Sequence, residues 1–180
     1  MKKLLLIVML LAGGRAIPQF KSANLQAAGL TCAMCTKAIN KSLEKLPFIE
    51  TVTADIKSSS FNIEFKKDAS VDFDEMKKAV SDAGFSVAKL KVTGIFSGIA
   101  VQHDKHVQID GKTFHFLNIS NQTLNGEITL VITDKDFIGT KEFKKYSATT
   151  KMTCQQTGKA GSCCIREGVD VHTRIYHVTI

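Results

Sequence analysis

Beyond its first sixteen residues the chain alternates short apolar stretches with polar breaks, and the period of each stretch predicts an element. Residues 20–28 read as a first strand. Cys35, Ile39, Leu43 and Leu46 then recur at spacings of 4, 4 and 3, one face of a helix that starts at Thr31 and stops at Pro47. Residues 49–56 and 60–65 read as two strands joined by a turn at Lys57-Ser58-Ser59. In the second of them Phe61, Ile63 and Phe65 share one side and Asn62 and Glu64 the other, the alternation of a half-buried strand. Asp72 is placed to cap a second helix with Phe73, Met76, Val80 and Ala83 as its buried stripe. Gly84 ends it, and residues 87–90 supply a last strand. The order is βαββαβ, with two helices on one face of a four-stranded antiparallel sheet, a ferredoxin-like arrangement.

The second half has no long amphipathic helix. Residues 95–101, 107–109, 113–117, 127–133 and 169–180 read as strands, and residues 141–146 as a short helix. Asp110-Gly111 and Asn125-Gly126 are turn signals. The expectation is an α+β chain: a ferredoxin-like domain over residues 17–92, then a small all-β domain over residues 93–180, an OB-like barrel. The seam falls near residues 91–93, and with no Pro/Gly/Ser linker there the halves should pack together.

Composition changes this picture mainly at the N-terminus. The net charge is +7 over 180 residues. The first sixteen hold Lys2, Lys3 and Arg15 and no acid, so the remainder carries only +4. That mild excess, with no Trp and two Tyr, excludes a nucleic-acid partner as an expectation. Residues 1–16 have a basic start, an unbroken apolar run over residues 4–12 and small residues at Gly14 and Ala16, the layout of a secretory signal peptide. The run is about half the roughly 20 residues a membrane span needs. The expectation is an exported protein, periplasmic or secreted, with no membrane insertion after cleavage. In that compartment disulfides persist.

The chemistry centres on Gly29-Leu30-Thr31-Cys32-Ala33-Met34-Cys35. Two thiols three residues apart at a loop-to-helix junction meet free helix N–H groups, which favour thiolate. Thiolates suit Cu(I), Zn(II) and similar soft ions, and a two-ligand site leaves room for a partner's thiolate to take the metal. Cys-x-x-Cys alone is also compatible with redox chemistry or a structural disulfide. A thiol oxidoreductase usually has an aromatic before the first Cys and Gly-Pro or Pro-His between, which Thr31 and Ala33-Met34 do not supply. A structural disulfide there would bridge a single turn and constrain little chain.

Over residues 20–91 the chain resembles the heavy-metal-associated domain family, found in copper chaperones, copper-exporting ATPases and the periplasmic mercury-binding protein. The resemblance rests on the Gly-Leu-Thr-Cys-Ala-Met-Cys segment, Leu46-Pro47 at the helix end, the βαββαβ order and Ala83-Gly84-Phe85 after the second helix. It implies metal binding by Cys32 and Cys35. It also implies a packing role for Leu30, where the family usually has Met, and a place near the metal for Phe85. With the leader, the likeness is strongest to the exported mercury-binding members.

Cys154, Cys163 and Cys164 fall in the second half with all five histidines. One disulfide, Cys154 with Cys163 or Cys164, is the expectation for an exported domain. The sharper alternative is a second soft-metal site of Met152, Cys154, Cys163 and Cys164, joined by a histidine. His103 and His106 are expected at the surface. His172 and His177 fall on opposite faces of one strand, and His115 should face solvent. No Gly-x-Ser-x-Gly, phosphate-binding glycine loop or His-Glu-x-x-His is present, so the chain reads as non-enzymatic. The sequence reading is therefore an exported carrier of Cu(I), Hg(II) or Zn(II) that exchanges metal with a donor or acceptor protein such as a transporter or ATPase metal-binding domain. The alternative is a periplasmic dithiol–disulfide protein using the Cys32/Cys35 pair.

Overall fold

The alternating Phe61, Ile63 and Phe65 do turn one side of a strand inward, and the rest of the fold is built on that face. The structure is a computed structural model and describes residues 19–30 and 32–180; the expected signal peptide, residues 1–16, lies outside them. The elements are β1 (Gln19–Ala28), α1 (Ala33–Leu43), β2 (Ile49–Asp55), β3 (Ser60–Phe65), α2 (Phe73–Asp82) and β4 (Ser86–Val101). There follow β5 (Lys105–Ile109), β6 (Lys112–Phe116), β7 (Gln122–Ile132), α3 (Thr140–Ser147), α4 (Cys154–Thr157), α5 (Ser162–Ile165) and β8 (Ile175–Thr179). Asp72 caps α2 as its sequence position suggests, its carboxylate accepting from the N–H groups of Asp74 and Glu75.

Among the described residues eight strands form one open sheet in the order β2-β3-β1-β4-β7-β8-β6-β5. The first four are the ferredoxin-like sheet, with Ile39 and Leu43 of α1 and Phe73, Met76 and Val80 of α2 buried. The expected OB-like barrel is not formed. Closure would require its end strands to pair, whereas among the described residues β5 and β2 are edges at opposite ends of a single sheet. The cause is β4. Instead of two strands meeting near residues 91–93, it runs unbroken for 16 residues and pairs with β1 on one side and β7 on the other. The C-terminal part is therefore β-rich rather than all-β, extending the first sheet and carrying three short helices.

Two turn signals had different fates. Asp110-Gly111 joins β5 to β6 with φ of 50° and 69°, as a two-residue turn of mirror-image type needs. Asn125-Gly126 is no turn: it lies inside β7, opposite Ser97 and Phe96. Gly98 forms a bulge in β4 at φ 69°, and its N–H donates to Asn125 Oδ1 at 2.8 Å. The bulge consumes the Asx side chain that would otherwise have favoured chain reversal.

The hydrophobic core is continuous across both halves. Phe20 of β1, Phe73 of α2, Phe114 of β6 and Tyr176 of β8 pack ring to ring, with centroid separations of 5.1–6.3 Å. A second, smaller cluster gathers Cys154, Ala160, Cys164, Val169 and Ile175. It lies with the other face of β8, because Ile175 and His177 alternate with Tyr176 and Val178.

A polar clamp ties α2 to β8. Arg174 donates to the Asp74 carboxylate at 2.7 and 3.2 Å, and Tyr176 Oη donates to it at 3.1 Å. Burial raises the Asp74 pKa, but hydrogen bonding and charge from Arg174, with Lys77 and Tyr176, bring it below the ordinary carboxylate value. A carboxylate depressed in the folded state contributes stability above its unfolded pKa and loses it as pH falls through the folded one. Asp74→Asn is accordingly expected to cost about 1 kcal/mol at pH 7, discounted for partial exposure. Urea midpoints should show the gap between variant and parent narrowing towards pH 3; a gap independent of pH would place the effect elsewhere.

Candidate metal centres

Among the described residues there are two groups of soft donors, built in different ways. The first is local. β1 ends before Gly29, and the chain enters α1 with Cys32 as its N-cap, in extended conformation. The Cys35 N–H donates to Cys32 Sγ at 3.2 Å, so the sulfur occupies the place an Asp or Ser oxygen takes at other helix starts. Free N–H groups at that end stabilise negative charge on sulfur. Cys32 is exposed and Cys35 half-buried, with Met34 between them 75% exposed. The two cysteines, with Cα atoms 5.3 Å apart, are joined as a disulfide in the structure. Metal binding therefore requires a two-electron reduction to the dithiol. Leu30 and Phe85 are partly buried and pack against the core beneath.

The second group is assembled from distant residues. Cys154, Cys163 and Cys164 are free thiols, so neither expected disulfide pairing is formed. Their sulfurs lie within 4.8 Å of one another, with Cys163 and Cys164 at 3.5 Å. Cys154 is fully buried at the start of α4, and burial pushes its thiol pKa well up. Cys163 is more open. Burial would raise its pKa, but the Thr153 hydroxyl, Cys164 and nearby backbone N–H groups bring it to about 7. Met152 packs against the same cluster.

His103 is exposed as expected, whereas His106 and His115 are not at the surface. His115 and His177 are 0% exposed, and the His106 ring is likewise buried. Only His172 among the expected pair is displaced: it lies before β8, leaving His177 alone on that strand. In register His106 of β5 pairs with His115 of β6, and His115 pairs with His177 of the parallel neighbour β8. Three adjacent strands thus place a row of imidazoles on one face, and the α4 segment lays Cys154 over it. Sulfur Sγ of Cys154 is 3.8 Å from His106 Nε2, 3.7 Å from His115 Nδ1 and 3.4 Å from His177 Nε2. The far nitrogen of each ring meets a carboxylate: Glu167 at 2.5 Å, Asp104 at 3.0 Å and Asp134 at 2.5 Å respectively. Burial first, and then the neighbouring His177 and His106, hold the His115 pKa down to about 3, so its ring is neutral. Glu167 is about 2 despite burial, because Lys105 and His106 donate to it.

Cys154, His177 and Asp134 line up as a thiol–imidazole–carboxylate triad. A nucleophile must be reachable by substrate, and Cys154 is sealed at 0% exposure with a raised pKa. Catalysis by that sulfur is therefore not what the arrangement serves.

Residues 25–86 match the heavy-metal-associated domain family, the segment that contains the Cys32/Cys35 pair, so this part of the chain is a heavy-metal-associated domain. The C-terminal part is not matched. No curated protein sequence matches the chain. Among solved structures the CopZ metallochaperone aligns at 21% identity and TM-score 0.35, over 37% of this chain and 98% of that one. Oxidized MerP from Ralstonia metallidurans CH34 aligns at 25% identity and TM-score 0.35, over 38% and 97%. The N-terminal domain of a potential copper-translocating P-type ATPase from Bacillus subtilis, in its Cu(I)-loaded state, aligns at 26% identity and TM-score 0.34, over 38% and 85%. Among the described residues no helix is long and apolar enough to cross a membrane.

Proposed function

We propose that the chain is an exported, non-enzymatic carrier of a soft metal ion, held between the thiolates of reduced Cys32 and Cys35. Cu(I) is the preferred cargo, with Hg(II) and Zn(II) suited to the same donors. The observation that carries the reading is the presentation of two convergent sulfurs at the open N-terminus of α1, within a heavy-metal-associated domain. Two protein ligands leave the ion under-coordinated, so a thiolate of a transporter or ATPase metal-binding domain can enter before either cysteine leaves. Transfer then needs no free ion. The exposed Met34 lies on the surface such a partner would cover.

The disulfide between the two cysteines supports a second reading, a dithiol–disulfide protein that exchanges electrons with thiol partners. Native mass spectrometry separates the two. The reduced chain, titrated anaerobically with Cu(I) in excess glutathione, is expected to retain one ion that is lost in a Cys32→Ser/Cys35→Ser variant. Failure to retain Cu(I) against the thiol, with rapid turnover of a disulfide substrate, would move the redox reading to first place.

A further inference from the structure

We propose that His106, His115 and Cys154, with His177 approaching the same sulfur, form a second and internal metal site for a borderline cation of the Zn(II) class. It is independent of the Cys32/Cys35 pair. The argument starts from protons. A carboxylate only accepts, so the ring nitrogen facing it carries the hydrogen: Nδ1 of His106, Nε2 of His115 and Nδ1 of His177. In the neutral ring each remaining nitrogen is then a lone pair, and all three of these nitrogens lie against one sulfur. A thiol has one hydrogen and can satisfy one of them. Converging buried acceptors without donors is costly, and a cation is the group that satisfies His106 and His115 together with the sulfur.

Spacing agrees with this. A tetrahedral ion with M–S of about 2.3 Å and M–N of about 2.0 Å sets sulfur about 3.5 Å from each nitrogen. The observed separations are 3.4, 3.7 and 3.8 Å. His106, His115 and Cys154 offer donor atoms all within 4.8 Å of one another. Imidazoles backed by carboxylates are the usual outer support of such sites, fixing the tautomer and the ring direction. Two or three imidazoles with one thiolate favour Zn(II)-like ions over hard cations. On binding, the Cys154 proton leaves to solvent and the sulfur coordinates as thiolate. Cys163 and Cys164 lead from the half-open surface of this segment to Cys154, which gives the ion a path inward along thiols.

The test uses the full chain carrying Cys32→Ser and Cys35→Ser, reduced and anaerobic, with Co(II) as the probe. One Co(II) per chain is expected, with intense tetrahedral d–d bands and a thiolate charge-transfer band, both erased by one equivalent of Zn(II). Adding Cys154→Ser should remove the charge-transfer band. His115→Ala should abolish tight binding, and Glu167→Gln, which touches no metal, should weaken it about 10–100-fold. Circular dichroism checks that each variant is folded, and Glu167→Gln carries the test if His115→Ala is not. Three outcomes would overturn the site: a folded Cys32→Ser/Cys35→Ser chain that binds no Co(II), binding unchanged by both His115→Ala and Glu167→Gln, or a Cys154 disulfide that resists reduction in the folded chain. None of these depends on whether Cys32 and Cys35 bind Cu(I).

Discussion

Phe73→Ala is expected to lower the unfolding free energy by about 3–5 kcal/mol, as removal of a buried aromatic does, and to leave one transition rather than two. Phe73 is fully buried at the first turn of α2. Its ring contacts Phe20 at 5.3 Å, Phe114 at 6.3 Å and Tyr176 at 5.1 Å, three partners on three strands from both halves of the chain. The cavity left by Ala would open under the join between them. Because β4 pairs with β1 and β7 alike, loosening that join cannot be confined to one half. Denaturant unfolding followed by circular dichroism, with hydrogen exchange at β3 and at β6, checks it. Both sets of amides should lose protection together. Loss at β6 alone, with β3 unmoved, would mean that the halves are separate folding units.

Local patterns were legible in the sequence, and long-range register was not. The alternation in β3, the Asp72 cap and the Asp110-Gly111 turn depend on neighbours within a few residues, and each has the expected form. The Cys32/Cys35 pair belongs to this class too, since a loop running into a helix start is a local geometry. The long β4 was hidden because a strand paired on both sides shows no break where one half ends, and the Gly94 and Gly98 positions resemble punctuation. Four-residue α4 and α5 are too short to display a helical period. The histidine row was the largest loss. Parity within each strand can be read from sequence, but nothing in the sequence says that β8 lies parallel to β6 with His177 beside His115. The available signal was weak: His115 between Phe114 and Phe116, and His177 between Tyr176 and Val178, interrupt runs that are otherwise apolar on both sides. Such runs mark strands buried on both faces, where a polar residue must find a partner.

Asp134→Ala should be as damaging as the core truncation, about 3–5 kcal/mol, because two buried donors of His177 lose their acceptor at about 1–3 kcal/mol each. Asp134 follows β7 and is almost fully buried. Its Oδ1 accepts from the His177 backbone N–H at 3.2 Å and from His177 Nδ1 at 2.5 Å, and Oδ2 faces Arg174 at 2.9 Å. Alanine strands both His177 donors, while Arg174 keeps its bonds to Asp74. Asp134→Asn keeps an acceptor for His177 but turns its NH2, a donor, toward Arg174 where a carboxylate oxygen stood, so about 1–2 kcal/mol is expected. Comparing the two separates packing from orientation. The same pair also bears on the internal metal site, because Asn still orients the His177 ring but lacks the carboxylate charge that raises the basicity of the nitrogen facing Cys154. A 10-fold weaker site forfeits about 1.4 kcal/mol of the stabilisation that saturating Zn(II) confers on the folded chain. In chains lacking Cys32 and Cys35, the Zn(II)-induced rise in Tm should therefore be smaller for Asp134→Asn than for its parent. An equal rise would show that His177 takes no part in holding the ion, leaving His106, His115 and Cys154 to hold it alone.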